Sequence, residues 1–394
     1  MRKIKDNRTM NREYTKWVAC WGNATSIREQ TELRYTKDVT FRYPLFMCFD
    51  GGALRFRFSN LTGNDPVSFT ACVAKSSGRR TVDTASCRDI LKDGQKEIVI
   101  APGEEVESDI LEMDVTAGTW ISVSLYLSGY TDMNAGVLIT GPLSRGYYGY
   151  GNQMYDADFD DDLARHTNWY YFLNTVDILT EGKNHALICY GDSITAQSWP
   201  DWLTKRAWEN GFHDVSIIRR AVSGTRILRE YQCITYKAYG IKGETRFPLE
   251  MNTAGADTVL IQHGINDIIH PVGTDVNIFR PWSDLPTVED MCRGFTDYYI
   301  KVAREKGLSV WGGTLIPIYG WRTYEPFRED LKNGFNDWLR TTDLLDGCVD
   351  FDLAVRDPDH PAAFRKEYNS GDNLHPSEEG YKAMADAVPE ELLK

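Results

Sequence analysis

The sequence predicts two units in succession: an antiparallel β-sandwich of jelly-roll type over residues 1–183, then an α/β domain with a parallel sheet over residues 184–394. Three observations carry this. The first third is patterned with period two and has almost no helical pattern before residue 150. From residue 185 short apolar runs alternate with amphipathic stretches, the pattern of a parallel sheet covered by helices on both faces. A chain of 394 residues also exceeds the size at which one core usually keeps growing.

In the first unit Leu54, Phe56 and Phe58 alternate with Ala53, Arg55 and Arg57. Ile121, Val123, Leu125 and Leu127 alternate with Ser122, Ser124 and Tyr126. Both read as half-buried antiparallel strands. Turn signals at Asp50-Gly51-Gly52, Thr62 to Pro66 and Pro102-Gly103-Glu104 separate them. Residues 141–165, rich in Gly, Tyr and Asp, read as a surface excursion, and Trp169 to Leu179 as one last strand of the sandwich. In the second unit the apolar runs are 186–190, 215–221, 258–264, 308–316 and 348–352. Amphipathic segments, among them Trp199–Asn210 and Val288–Lys306, lie between them.

Whole-chain properties narrow the function. A net charge of −13, with no local basic run, argues against nucleic acid and anionic membrane as partners and suits a neutral substrate. No stretch approaches the roughly 18 apolar residues of a membrane span. The basic N-terminal residues are not followed by the apolar stretch of a secretory signal. The eight cysteines are scattered, form no Cys-x-x-Cys pair and in part lie inside strand-like runs, so they read as free thiols. The expected compartment is the cytoplasm. Oligomeric state is left open.

In a parallel sheet, reactive groups collect just past the carboxyl ends of the strands. After the first run stands Gly191-Asp192-Ser193-Ile194, after the second Ser223-Gly224, and the third ends in Gly264-Ile265-Asn266-Asp267. Near the C-terminus comes Asp372-Asn373-Leu374-His375-Pro376. A serine hydroxyl attacks only if a base takes its proton, and a carboxylate three residues before His375 can hold that ring in the required tautomer. Pro376 suits the first turn of the following helix and keeps His375 extended. Ser193, Asp372 and His375 are therefore the catalytic candidates. The backbone N–H groups of Ser193 and Gly224 and the side-chain amide of Asn266 are candidate oxyanion donors. Asp192 and Asp267 read as structural carboxylates that accept turn N–H groups. Asp372 and His375 could also be metal ligands, but no second His–carboxylate cluster accompanies them. Gly-Asp-Ser alone is weak, since composition supplies it in roughly one chain in ten of this length. Four blocks in order, each after an apolar run, are specific.

These blocks resemble those of the SGNH, or GDSL-type, hydrolase superfamily. The resemblance covers roughly residues 184–394 and places that family's Ser, Gly, Asn and His on Ser193, Gly224, Asn266 and His375, with Ile194 where a Leu is usual. It implies a three-layer α/β/α catalytic domain, a serine esterase activity and no metal or cofactor. More weakly, Trp17 to Trp21, Leu54 to Asn60 and Ser108-Asp109 look like the β-rich N-terminal region of bacterial members that are mostly carbohydrate acetylesterases. The expected substrate is then an acetylated xylan- or mannan-type oligosaccharide. Trp199, His263, Trp282, Tyr319 and Trp321 are the candidate substrate contacts, because sugar rings stack on aromatics. A lipid-type esterase or thioesterase would need an aliphatic channel, and the loops after the strands are aromatic and polar. A silent carbohydrate-binding protein would not need the complete Ser, His, Asp and oxyanion set.

Overall fold

The computed structural model describes residues 13–24, 35–159, 165–230, 240–270 and 281–394. Its first part is built on two large antiparallel sheets, beside two short two-stranded ones that pair Tyr35–Thr36 with Thr131–Asp132 and Gly136–Leu138 with Trp169–Tyr171. One of the large sheets places Lys16–Gly22, Leu173–Thr180, Gly51–Ser59 and Glu105–Glu107 side by side, with Leu111–Val115 also on Gly51–Ser59. The other runs Arg165–Thr167, Gly146–Tyr150, Val39–Phe46, Trp120–Leu127, Val67–Ser76 and Arg88–Ile90, with Glu97–Ile100 on Val67–Ser76. Leu54, Phe56 and Phe58 of one sheet and Ile121, Val123, Leu125 and Leu127 of the other are buried in one apolar core. The alternation read from sequence thus selects the inner faces.

Two details differ from the expectation. Residues 141–165 are not wholly a surface excursion: Gly146–Tyr150 is a strand, and Met154 and Phe159 are buried. The cause is Arg42, fully buried on the outer face, whose guanidinium donates to the carbonyls of Arg80, Gln153 and Asp156 and to Ser124 Oγ. A buried guanidinium needs this many acceptors, and the 152–156 loop supplies them. The strand expected over Trp169–Leu179 is also interrupted. Phe172 takes φ 63, which divides it into Trp169–Tyr171 and Leu173–Thr180.

The second part is a parallel sheet in spatial order Val215–Ala221, His185–Gly191, Ala256–Gln262, Ser309–Gly313, Gly347–Val349. In sequence terms this is 2-1-3-4-5, so the chain reverses its direction of travel at the second strand. The helices fall into two groups accordingly. Trp199–Glu209 packs with Glu378–Ala387 and Phe351–Val355; Gly243–Glu250, Val288–Glu305 and Pro326–Thr341 form the other group. The segment read as one helix over Val288–Lys306 contains a π-helical turn at Thr296–Ile300. The result is a three-layer α/β/α domain preceded by an antiparallel β-rich region. Among the described residues no helix is long and apolar enough to cross a membrane.

The two parts are joined by more than the Glu181–Asn184 turn. Val215–Ala221 is an edge strand, and Lys16–Gly22 of the sandwich packs against it. Ser216 Oγ donates to the Ala19 carbonyl at 2.6 Å, and the Ala19 N–H donates to Ala254 O at 2.8 Å. Covering the edge in this way removes an aggregation template and fixes the sandwich beside the first two parallel strands.

Candidate active site

The switch point of a 2-1-3-4-5 sheet lies between its first and third strands, where a crevice opens past their carboxyl ends. Ser193 and Asn266 follow those two strands directly. After Gly191 the chain turns into a single helical turn, Ser193–Ala196. A Cβ on Gly191 would stand 2.5 Å from the Gln262 carbonyl of the third strand, so only glycine lets the turn pass there. Asp192 caps the turn, accepting the Ile194 N–H at 3.1 Å. It is fully buried, and that burial pushes its carboxyl up to about 7 against the lowering effect of the Ile194 N–H, His375 and Arg246.

Three side chains form a connected line. Ser193 Oγ is 2.9 Å from His375 Nε2, and His375 Nδ1 is 2.7 Å from Asp372 Oδ2. The other carboxylate oxygen accepts the His375 and Leu374 N–H groups at 2.8 and 2.9 Å and the Ser370 hydroxyl at 3.1 Å. Burial alone would raise the Asp372 carboxyl. The hydrogen bonds from the His375 ring and from the two N–H groups outweigh it and hold the group well below the usual carboxylate range. The loop is shaped by its own polar groups: Asn369 Oδ1 accepts the Gly371 and Asn373 N–H groups, and Asn373 takes φ 64. Pro376 precedes the next helix by two positions rather than opening it, because Ser377 is the cap and accepts the Gly380 N–H.

Gly224 lies in the turn after the second strand at φ 77, a left-handed conformation suited to glycine. Asn266 is buried, and its Nδ2 donates one hydrogen to Thr225 O at 3.1 Å, which leaves the second hydrogen of that amide for another acceptor. Among the described residues no hydrogen bond is made by the Ser193 or Gly224 N–H. Asp267 braces the same turn by accepting the Ile227 and Leu228 N–H groups at 2.8 and 3.0 Å, and burial raises its carboxyl to about 6. Both motif aspartates therefore bind backbone N–H groups. The arrangement can take a proton from a serine, orient the acceptor ring and offer N–H groups to a developing oxyanion.

Residues 189–383 match the model of the GDSL-like lipase/acylhydrolase family. The chain carries a GDSL-type acylhydrolase domain. Its activity class is carboxylic ester hydrolysis. A search of curated proteins finds no match. Among solved structures, a GDSL-like lipase from Bacteroides thetaiotaomicron is similar at 16% identity and TM-score 0.34, over 52% of this chain and 87% of that one. A family two carbohydrate esterase from Cellvibrio japonicus is similar at 10% identity and TM-score 0.34, over 96% and 97%. A carbohydrate acetylesterase from Xanthomonas citri is similar at 9% identity and TM-score 0.33, over 84% and 72%.

The five expected substrate contacts of the acylhydrolase domain divide. Trp199 does not face a cleft: it is fully buried, its ring 5.3 Å from Phe351, because Trp199, Leu203 and Ala207 form the inward stripe of their helix. His263 is also fully buried and bridges Thr225 Oγ1 at 3.1 Å and the Tyr299 hydroxyl at 2.7 Å. Burial, assisted by Arg246, lowers its imidazole well below the usual range and keeps it neutral. It thus braces the turn that carries Gly224 and anchors Asn266. Tyr319 is exposed, stacks edge-on with Tyr324 and His360, and precedes Gly320, whose carbonyl accepts from Asn373 of the His375 loop at 3.2 Å. Trp321 is half-buried in the same loop. Trp282 is exposed and packs edge-on with Phe327 at 5.5 Å, with no hydrogen bond or ring contact to the His375 loop among the described residues.

Sequence reasoning missed the buried charges around the Ser193 turn. Arg219 donates to the Ala196 carbonyl that ends the turn, at 3.2 Å, and to Asp201 at 2.5 Å. Asp201 in turn accepts the Leu143 N–H and the Ser144 hydroxyl of the sandwich-side segment. Arg246 donates to the Gly191 carbonyl at 2.9 Å and pairs with Glu250 at 2.7 Å. The available signal was two adjacent arginines inside a strand of the parallel sheet, a position that demands buried partners.

Proposed function

We propose that this protein is a serine esterase that removes O-acetyl groups from acetylated oligosaccharides of xylan or mannan type. The observation that carries the mechanism is the unbroken line Ser193 Oγ, His375 Nε2, His375 Nδ1, Asp372 Oδ2, with spacings of 2.9 and 2.7 Å. In this reading His375 accepts the Ser193 proton as Oγ attacks the ester carbonyl. The oxyanion is met by the Ser193 and Gly224 N–H groups and the free hydrogen of Asn266 Nδ2. His375 then returns the proton to the departing sugar oxygen, and a water molecule repeats the sequence on the acyl-enzyme. Asp372 holds the ring with its proton on Nδ1.

The carbohydrate leaving group is supported by the aromatic and polar surface beside the His375 loop, where Tyr319 is exposed and Trp321 half-buried, and by the net charge of −13. We divide the chain into an accessory unit over 1–183 and a catalytic unit over 184–394. We place the protein in the cytoplasm, a reading supported by seven described cysteines that are all free. The test is mass spectrometry of acetylated xylo- and manno-oligosaccharides incubated with the enzyme, beside p-nitrophenyl esters of increasing chain length. Loss of acetyl mass units, with ester activity falling from acetate to butyrate, is expected. Octanoate cleaved as fast as acetate would replace this reading with a lipid-type esterase.

A further inference from the structure

The helices Trp199–Glu209 and Glu378–Ala387 pack side by side and are tied to each other at both ends. At one end Arg206, in the last turn of the first helix, donates to the Ala385 and Val388 carbonyls that close the second. At the other end Glu378 accepts the Ser198 hydroxyl at 2.8 Å through Oε2 and the Trp202 Nε1–H at 2.6 Å through Oε1. Lys382, one turn further along, lies over the Trp202 ring at 4.4 Å. Start is tied to start and finish to finish, so the two helices are parallel and bring their first turns to the same rim.

That rim carries Ser193 and His375. Ser193 precedes Ser198 by one buried helical turn, and His375 precedes Glu378 by Pro376 and Ser377 alone. Both connections are stiff: Ile194, Thr195 and Ala196 are buried, and Pro376 has its φ fixed by its ring. A shift between the first turns of the two helices is therefore passed on to the gap between Ser193 Oγ and His375 Nε2. A slide of one residue, about 1.5 Å, would carry that 2.9 Å contact out of the hydrogen-bond range.

Two local habits are set aside to make this tie. Ser198 is the N-cap residue of its helix, where a hydroxyl ordinarily accepts an N–H from two or three residues on, yet it makes no such bond and donates to Glu378 instead. Glu378 is exposed at the first position of its own helix and could lie in water, yet both its oxygens are engaged by the neighbouring helix. Exposed side chains contribute little to stability, whereas a carboxylate gripped by two fixed donors defines a register. Departures from local preference of this kind gather at functional sites.

We propose that Glu378 is a positioning residue for ester hydrolysis: it sets the register of these two helices at the rim and so holds His375 against Ser193. The proposal rests on the Ser193–His375 reading above. Glu378→Ala removes both acceptors. Glu378→Gln keeps an oxygen for the Trp202 N–H and can donate its amide hydrogen to Ser198 Oγ, since a hydroxyl also accepts. Arg206→Ala loosens the same helix pair at its other end. All are made in the full chain and assayed on p-nitrophenyl acetate beside Ser193→Ala, with the thermal melt followed. Glu378→Ala should lower kcat by about 10- to 100-fold with KM changed by less than about threefold, the split expected when a reacting group is misplaced and binding is not. Glu378→Gln should recover kcat to within about threefold of the parent, and Arg206→Ala should lower the melt while leaving kcat within that range. Ser198→Ala combined with Trp202→Phe removes the same tie from the first helix, so it should reproduce the loss, and adding Glu378→Ala should cost nothing more. That pair carries the test if Glu378→Ala does not fold. An unchanged kcat on loss of the tie, an equal loss in Arg206→Ala, or no recovery in Glu378→Gln would overturn the proposal. If Ser193→Ala is as active as the parent, the Ser193–His375 reading fails. If Ser193→Ala is inactive and Glu378→Ala fully active, only the positioning role fails.

Discussion

Asp372→Asn separates the tautomer of His375 from the shape of its loop. The Asp372 side chain makes four hydrogen bonds, three at Oδ1 and one at Oδ2. In the variant the amide oxygen keeps the three at Oδ1, and the amide nitrogen takes the place of Oδ2 opposite His375 Nδ1. Flipping the amide would set its NH2 against two backbone N–H donors, so the flip is disfavoured. His375 must then turn Nδ1 into an acceptor and carry its proton on Nε2, where it can no longer receive the Ser193 proton. The stability cost is small, because the lost bond belongs to a carboxylate 42% exposed: about 1 kcal/mol or less, and a melt lowered by no more than about 4 °C. The kinetic cost is large, with kcat on p-nitrophenyl acetate falling by about 10³- to 10⁴-fold. Stopped assays at matched folded concentration, with Ser193→Ala as the inactive reference, read it directly. A kcat within tenfold of the parent, with Ser193→Ala inactive, would refute the orienting role of Asp372.

Three further outcomes are expected. Asn266→Ala should lower kcat by about 10²- to 10³-fold with a smaller change in KM, as loss of an oxyanion donor requires, and equal losses in both would count against that role. Asp201→Ala should cost about 3–5 kcal/mol in chemical denaturation, because it leaves Arg219 buried without its counter-ion, whereas Asp201→Leu with Arg219→Met should cost less than the single change. The Asp192 carboxyl, raised by burial from 3.8 to about 7, keeps its proton in the folded state after the unfolded chain has lost it. Stability should therefore fall as pH rises through that window and level off above it. Asp192→Asn, which retains the cap on Ile194, should remove about 3 kcal/mol of the loss between pH 5 and 8, and identical pH profiles for both proteins would rule this out.

The parts of this protein that its sequence determined are those that depend on neighbours in the chain. Period-two alternation selected the sandwich faces, and five apolar runs located the parallel strands within a few residues, because side-chain direction repeats over short distances. Asp372 and His375 were legible together, since three residues of loop suffice to bring carboxylate and imidazole to 2.7 Å. The inward stripe of Trp199, Leu203 and Ala207 was equally present in the sequence, and helical spacing would have assigned Trp199 to the core. Other features needed the tertiary structure. Ser193 and His375 are 182 residues apart and meet at 2.9 Å only because the C-terminal loop returns to the rim beside the first strand. The adjacent Arg219 and Arg220 point to opposite sides of their strand. One holds the Ser193 turn through Ala196 and Asp201, and the other is buried against Asn23, Asn174 and Thr175 of the sandwich. Local sequence can demand partners for a buried charge, but which residues answer is decided by how distant segments pack.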